Sequence, residues 1–199
     1  MRVPLLDMPR VRHAARSDTH APLPLHSPDM HDDQFWTLID SSRAASQGRT
    51  DDTFLRHLDR QLRALTPPDV LAFHERLQDH MTAANTWSLW GAAHALHGWC
   101  ADDTFEHFRA WLIAQGRDVF TAILTTPDHL AHFGLPLTRQ LPEFEHLLRV
   151  AAGPYEDRTG KQLPGAPYPG QLTGQAWTEQ QLPGLYPRLT ALAGEDWKA

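Results

Sequence analysis

Apolar residues recur along most of this chain at steps of three and four, the period that lays them on one face of an α-helix. From Asp32 onward Phe35, Trp36, Leu38 and Ile39 form one such face, behind Asp32 and Asp33, which suit the first turn of a helix as caps and as dipole partners. Asp51 and Asp52 repeat the arrangement ahead of Phe54, Leu55, Leu58, Leu62 and Leu65. Thr66 followed by Pro67-Pro68 stops that helix and opens a third, with Asp69 placed as in a capping box and Val70, Phe73, Leu77 and Met81 facing inward. A fourth helix is expected from about Asn85 to Leu96, with Trp87, Trp90 and the small Ala92, Ala93 and Ala95, ended by Gly98.

Asp102 and Asp103 open a fifth helix, carrying Phe105, Phe108, Trp111 and Leu112 and closed by Gly116. A short sixth is predicted over residues 118–124, a further turn from Pro127 through Leu130 and His132, and a last helix opened by Pro142 with Phe144, Leu147, Leu148 and Ala151. No alternating β-branched run flanks an Asn-Gly or Asp-Gly pair, so nothing predicts a hairpin. The expected fold is all-α: a compact bundle of about six to eight short helices with irregular N- and C-terminal segments.

The two ends have a different texture. Residues 1–29 hold Pro4, Pro9, Pro22, Pro24 and Pro28 without helical or strand periodicity, and read as a disordered or extended tail; Met30, just before the first helical pattern, is the expected natural start. Beyond residue 152 lie six of the 16 prolines and seven of the 12 glycines, mixed with Tyr155, Trp177, Tyr186 and Trp197. The domain is therefore expected over 30–157, with 158–199 packing on it or trailing from it, and with one late turn near Leu185–Leu192.

Composition narrows the classes. At 199 residues the chain suits one domain, and 41% hydrophobic with 21% charged residues is a globular composition. The single cysteine, Cys100, excludes an intramolecular disulfide and a Cys-based zinc site, and suits a reducing cytoplasm. A net charge of −6 argues against non-specific binding of nucleic acid, although Arg56, Arg60 and Arg63 form a basic stripe on the second helix beside Asp59. No apolar run reaches the roughly 20 residues of a membrane span.

Candidate chemistry concentrates in residues 98–117. Asp103 and His107, four apart, share a helix face, with Asp102, Glu106 and Arg109 on the neighbouring stripe. A carboxylate–histidine pair beside an arginine can do acid–base work or hold an anion; the same residues also describe a capped helix laced by ion pairs. His94 with His97, and His129 with His132, have a spacing compatible with metal ligation, but no His-Glu-x-x-His or Cys-x-x-Cys accompanies them, and neither metal nor cofactor is expected. Cys100 beside a helix start reads as a packing residue, with His97 a base only by proximity in sequence.

Three blocks taken together resemble a known family: Phe35-Trp36-x-Leu38-Ile39-Asp40; Leu89-Trp90-x-Ala92-Ala93, continuing through Gly98 to Asp102-Asp103-x-Phe105-x-x-Phe108-Arg109-x-Trp111-Leu112-Ile113-x-Gln115-Gly116-Arg117; and Pro127-Asp128-x-Leu130. Over about residues 30–157 the chain resembles the bacterial family catalogued as domain of unknown function 4240. The resemblance implies a small, mainly helical domain without an established activity, and marks Asp102, Asp103, Arg109, Gln115, Arg117 and Asp128 as the family's polar positions. Cys100-Ala101 stand where the pattern has Cys or Gly followed by Ser, which removes a hydroxyl, and Trp99 stands where it has glycine.

These readings point to an uncharacterised cytoplasmic helical domain, a non-enzymatic module binding a protein or a small ligand. Its candidate site is Asp102, Asp103, His107, Arg109, Gln115, Arg117 and Asp128. The alternative is a hydrolase-like enzyme using the Asp/His/Arg cluster at the start of the fifth helix. A polar set of this kind can equally be a structural clasp between helices.

Overall fold

The computed structural model of the chain describes residues 30–132, 141–165 and 170–194, and its described residues are helical without a strand. The N-terminal tail and Trp197 lie outside the described residues. Six helices run in order: α1 (Asp32–Ala45), α2 (Asp52–Ala64), α3 (Pro67–Ala83), α4 (Trp87–His97), α5 (Asp102–Ala114) and α6 (Arg117–Thr125). A 3-10 turn at Pro127–His132 and another at Glu145–Arg149 lead to α7 (Ala152–Thr159), and two short segments, α8 (Leu182–Leu185) and α9 (Pro187–Ala193), follow. None of the described helices is long and apolar enough to cross a membrane.

Start and stop chemistry accounts for most boundaries. Asp51 Oδ1 accepts the amides of Thr53 and Phe54 at 2.9 and 3.3 Å, and Thr66 Oγ1 accepts that of Asp69 at 3.4 Å, so both act as N-caps. Gly98 ends α4 at φ +81°, a left-handed conformation that glycine takes without steric cost. Elsewhere the expected caps shift by a residue. His31 precedes α1, its amide bonded to Gln34 Oε1 at 3.2 Å, and Ala101 precedes α5, so the paired aspartates sit inside the first turn as partners of the helix dipole. Pro142 does not open a helix. The backbone makes a 3-10 turn at 145–149, and α7 begins at Ala152, with Pro154 early enough to need no amide hydrogen bond.

Most of the inward stripes read from the sequence form the core, with Leu38, Leu55, Leu65 and Leu148 only partly buried against it. Phe35 and Ile39 of α1, Phe54, Leu58 and Leu62 of α2, and Phe73 and Leu77 of α3 are fully buried, as are Leu89, Phe108, Leu112, Ile113 and Ile123. Helix α1 packs on α2, α3 on α5 and α7, and α4 on α9.

Residues 170–194 lie across α4 as a strap. Its Thr173 pairs with Thr86 in an isolated parallel bridge, taking the Trp87 amide on its carbonyl at 2.9 Å and giving its own amide to the Asn85 carbonyl at 3.1 Å. The Thr173 carbonyl thereby satisfies a first-turn amide of α4 which has no partner inside the helix. Trp177 Nε1 and the Tyr186 hydroxyl then donate to the carbonyls of Trp87 and Ser88, each at 2.7 Å, using second lone pairs of the first helical turn. Gly91 makes the approach feasible: a Cβ there would stand 2.7 Å from both Trp177 Nε1 and the Tyr186 oxygen.

Candidate functional site: a composite cavity at the head of α5

Helix α5 places Asp102 in its first turn and Arg109 two turns on, about 10 Å along the axis. Helical side chains lean toward the N-terminus, so the Arg109 side chain runs back along the helix, bringing Cζ to 4.9 Å from the centroid of the Phe105 ring. Its Nη1 donates to the Met81 carbonyl at the end of α3, at 2.7 Å, and the residue is 3% exposed. Trp90 of α4 also stacks on Phe105, with centroids 6.0 Å apart and planes at 25°, and is fixed by a 3.0 Å bond from Nε1 to the Cys100 carbonyl.

Asp102, Arg109, Phe105 and Trp90 line a cavity of about 220 Å³. The strap adds to its lining Gly170, whose carbonyl accepts Asn85 Nδ2 at 2.8 Å, and the half-buried Leu172. Asn85 therefore belongs to the wall and to the anchor at once. A larger groove, about 450 Å³, lies between α2 and residues 145–154. Two of its charged side chains, Glu145 and Arg149, pair with each other at 3.6 Å, and Asp59 is held by Arg63 at 2.9 Å.

The seven expected site residues do not share this cavity. Asp102 and Arg109 do. Asp103 is exposed, its Oδ1 accepting the Thr104 amide at 2.9 Å. His107 turns from Asp103 to Glu143, Nδ1 to Oε2 at 3.2 Å. Gln115, 3% exposed, donates back to the Trp111 carbonyl at 3.1 Å where α5 ends. Arg117 bonds to Asp33 and, at 3.2 Å, to Asp32, tying the start of α6 to the start of α1. There Gly116, at φ +91°, lets the Asp40 carboxyl approach the Arg117 amide. Burial raises the Asp40 pKa and that amide opposes the rise. Asp128 is 6% exposed and accepts the amides of Arg188 and Leu189 in the first turn of α9.

The histidines and the cysteine are engaged in packing. His94 Nδ1 lies 3.2 Å from the Trp90 carbonyl and its ring 4.8 Å from that of Trp177, while His129 and His132 stack at 5.5 Å. Among the described residues no three His, Cys, Asp or Glu side chains converge as metal ligands would. Cys100 is 2% exposed, and burial pushes its thiol up to about 12, so it stays protonated at neutral pH and is a poor nucleophile. In the basic stripe, Arg63 is held between Asp59 and Asp157, at 2.9 and 2.7 Å, and Arg56 bonds to Thr53 Oγ1 at 3.1 Å; Arg60 is exposed.

Asn85, Gly170 and Leu172 were not among the sequence candidates. Asn85 had a faint signal, a helix-disfavouring residue placed just before the Thr86 cap. Gly170 and Leu172 had none, because their role depends on a strap that returns 85 residues later to the start of α4.

Fold and cavity together define an all-α protein with a small composite pocket at a helix head. Over residues 30–157 the chain matches the family described as protein of unknown function (DUF4240), and it belongs to that family. No curated protein and no solved structure matches it.

Proposed function

We propose that this protein is a non-enzymatic cytoplasmic module that binds a small ligand in the cavity at the head of α5. The observation carrying the reading is the convergence of Asp102 and Arg109, opposite in charge, with the apolar surfaces of Trp90, Phe105 and Leu172 on one cavity. About 220 Å³ exceeds the roughly 150 Å³ that accommodates benzene in an apolar protein cavity, so a single ring with a short substituent fits. Asp102 is an exposed member of the lining, and its carboxylate favours a ligand carrying an ammonium or another donor. Pockets of this kind take affinity from apolar walls and orientation from a few polar groups. The reduced, buried Cys100 supports a cytoplasmic home.

Ligand-observed NMR with benzylamine, benzoate and phenylalanine as probes tests the reading. At least one of the amine-bearing probes binds the full chain, and Asp102→Asn weakens it while the melting temperature stays nearly unchanged. Absence of binding by all three overturns it.

A further inference from the structure

We infer that Gly170 and Leu172 determine which ligand the cavity accepts, and that they do so from a strap whose docking is thermodynamically linked to ligand binding; the inference rests on the binding role proposed for this cavity. The family match ends at residue 157, whereas these two residues line the cavity together with Phe105 and Arg109. The polar half of the site thus sits in the shared domain, and its shape is completed from outside it.

The strap's anchors are few and specific. Thr173 exchanges main-chain hydrogen bonds with Asn85 and Trp87, and Asn85 Nδ2 holds the Gly170 carbonyl at 2.8 Å. The pocket wall is therefore bonded into the same segment that caps α4. A ligand touching both walls is lost when the strap lifts, so it stabilises the docked state by mass action.

Gly170 gives a way to change the wall. Its φ lies outside the left-handed region, and a Cβ there meets nothing within 4 Å among the described residues, so the backbone at this position admits a side chain. Gly165 has the same freedom and does not line the cavity, which makes it the control.

The test uses the full chain with benzylamine and phenylalanine as probes, read by NMR titration and by hydrogen exchange at the Thr173 and Trp87 amides. Gly170→Phe weakens binding by about tenfold or more, an overpacking cost of the usual size, while Gly165→Phe leaves it unchanged. In the unaltered protein, probe at a hundred times its Kd slows exchange at both amides by up to about a hundredfold. Equal protection of these amides in ligand-free Gly170→Phe and unaltered protein verifies that the strap remains docked; should it drop, Gly170→Val replaces the variant. Equal affinity in the Gly170 variant, or exchange at Thr173 indifferent to a bound probe, overturns the inference and leaves the binding role standing. No probe binding at all overturns both.

Discussion

The Asp128 carboxylate caps a helix sixty residues away: Oδ1 accepts the Arg188 and Leu189 amides, each at 3.1 Å, at the start of α9. Pro187 leads that helix and has no amide to satisfy, so the carboxylate meets the next two donors. Arg188 Nη1 adds a contact at 3.3 Å.

Replacing Asp128 with alanine removes this cap and leaves two amides of a partly buried turn without an acceptor. A capping loss of about 1–2 kcal/mol is expected. Urea unfolding measures it, and hydrogen exchange places it, with the Leu189 amide exposed ahead of the α2 and α3 core. A variant with unchanged stability and unchanged Leu189 protection would contradict the capping role.

At Gly91 helix propensity and tertiary fit pull in opposite directions. Alanine in an isolated helix gains up to about 1 kcal/mol over glycine. Here its Cβ would press on Trp177 and Tyr186, so Gly91→Ala displaces the strap. Tryptophan fluorescence shifts to the red, and the Trp177 indole exchanges faster, while the far-UV helical signal persists. A more stable protein with an unshifted emission spectrum would show that the close approach does not matter.

Acid weakens the fold through its buried histidines. Burial lowers the pKa of His74 below the ordinary 6.5, opposed by the Pro164 carbonyl; it lowers that of His80 as well, where Asp32 opposes it, and that of His94. Since the unfolded chain then binds more protons near and below pH 6.5, stability is intact above that value and falls as pH drops through it toward the depressed native values. Urea midpoints between pH 7.5 and 5.5 should decline. His74→Leu, which cannot titrate, should make the decline shallower, and an identical slope in the variant would exclude His74 as a contributor.

Local signals carried the domain through α6 well. The periodicity of Phe54, Leu58 and Leu62, the Thr66-Pro67-Pro68 junction and the Gly98 stop are each settled within a few residues, and the structure realises each of them. The family resemblance over 30–157 was legible for the same reason, since its middle block is one continuous run. Helix α7 was not, because Gly153-Pro154 reads as a breaker unless the helix start is already known to lie at Ala152. The partners of the polar positions were not legible either. Whether Asp128 meets a ligand or a helix depends on where α9 lies, and whether His107 meets Asp103 or Glu143 depends on a contact 36 residues away. Arg109, read on the polar stripe with Asp102 and Glu106, also stands next to Phe108 and four residues from Phe105, at the edge of the apolar stripe, and the structure buries it.

The strap's anchors also impose an order on biosynthesis. Every element it rests on, α4, α5 and the turn at Asp128, precedes it, and its bonds close loops of 60 to 98 residues. Such distant contacts pay their closure entropy late, and a chain folding as it leaves the ribosome assembles the earlier helices first. The helical domain thus passes through a stage in which Trp87, Trp90 and Phe105 have no strap over them. In that interval Trp87 and Trp90 lack their ring contacts with Trp177, and the arrival of residues 170–194 supplies them.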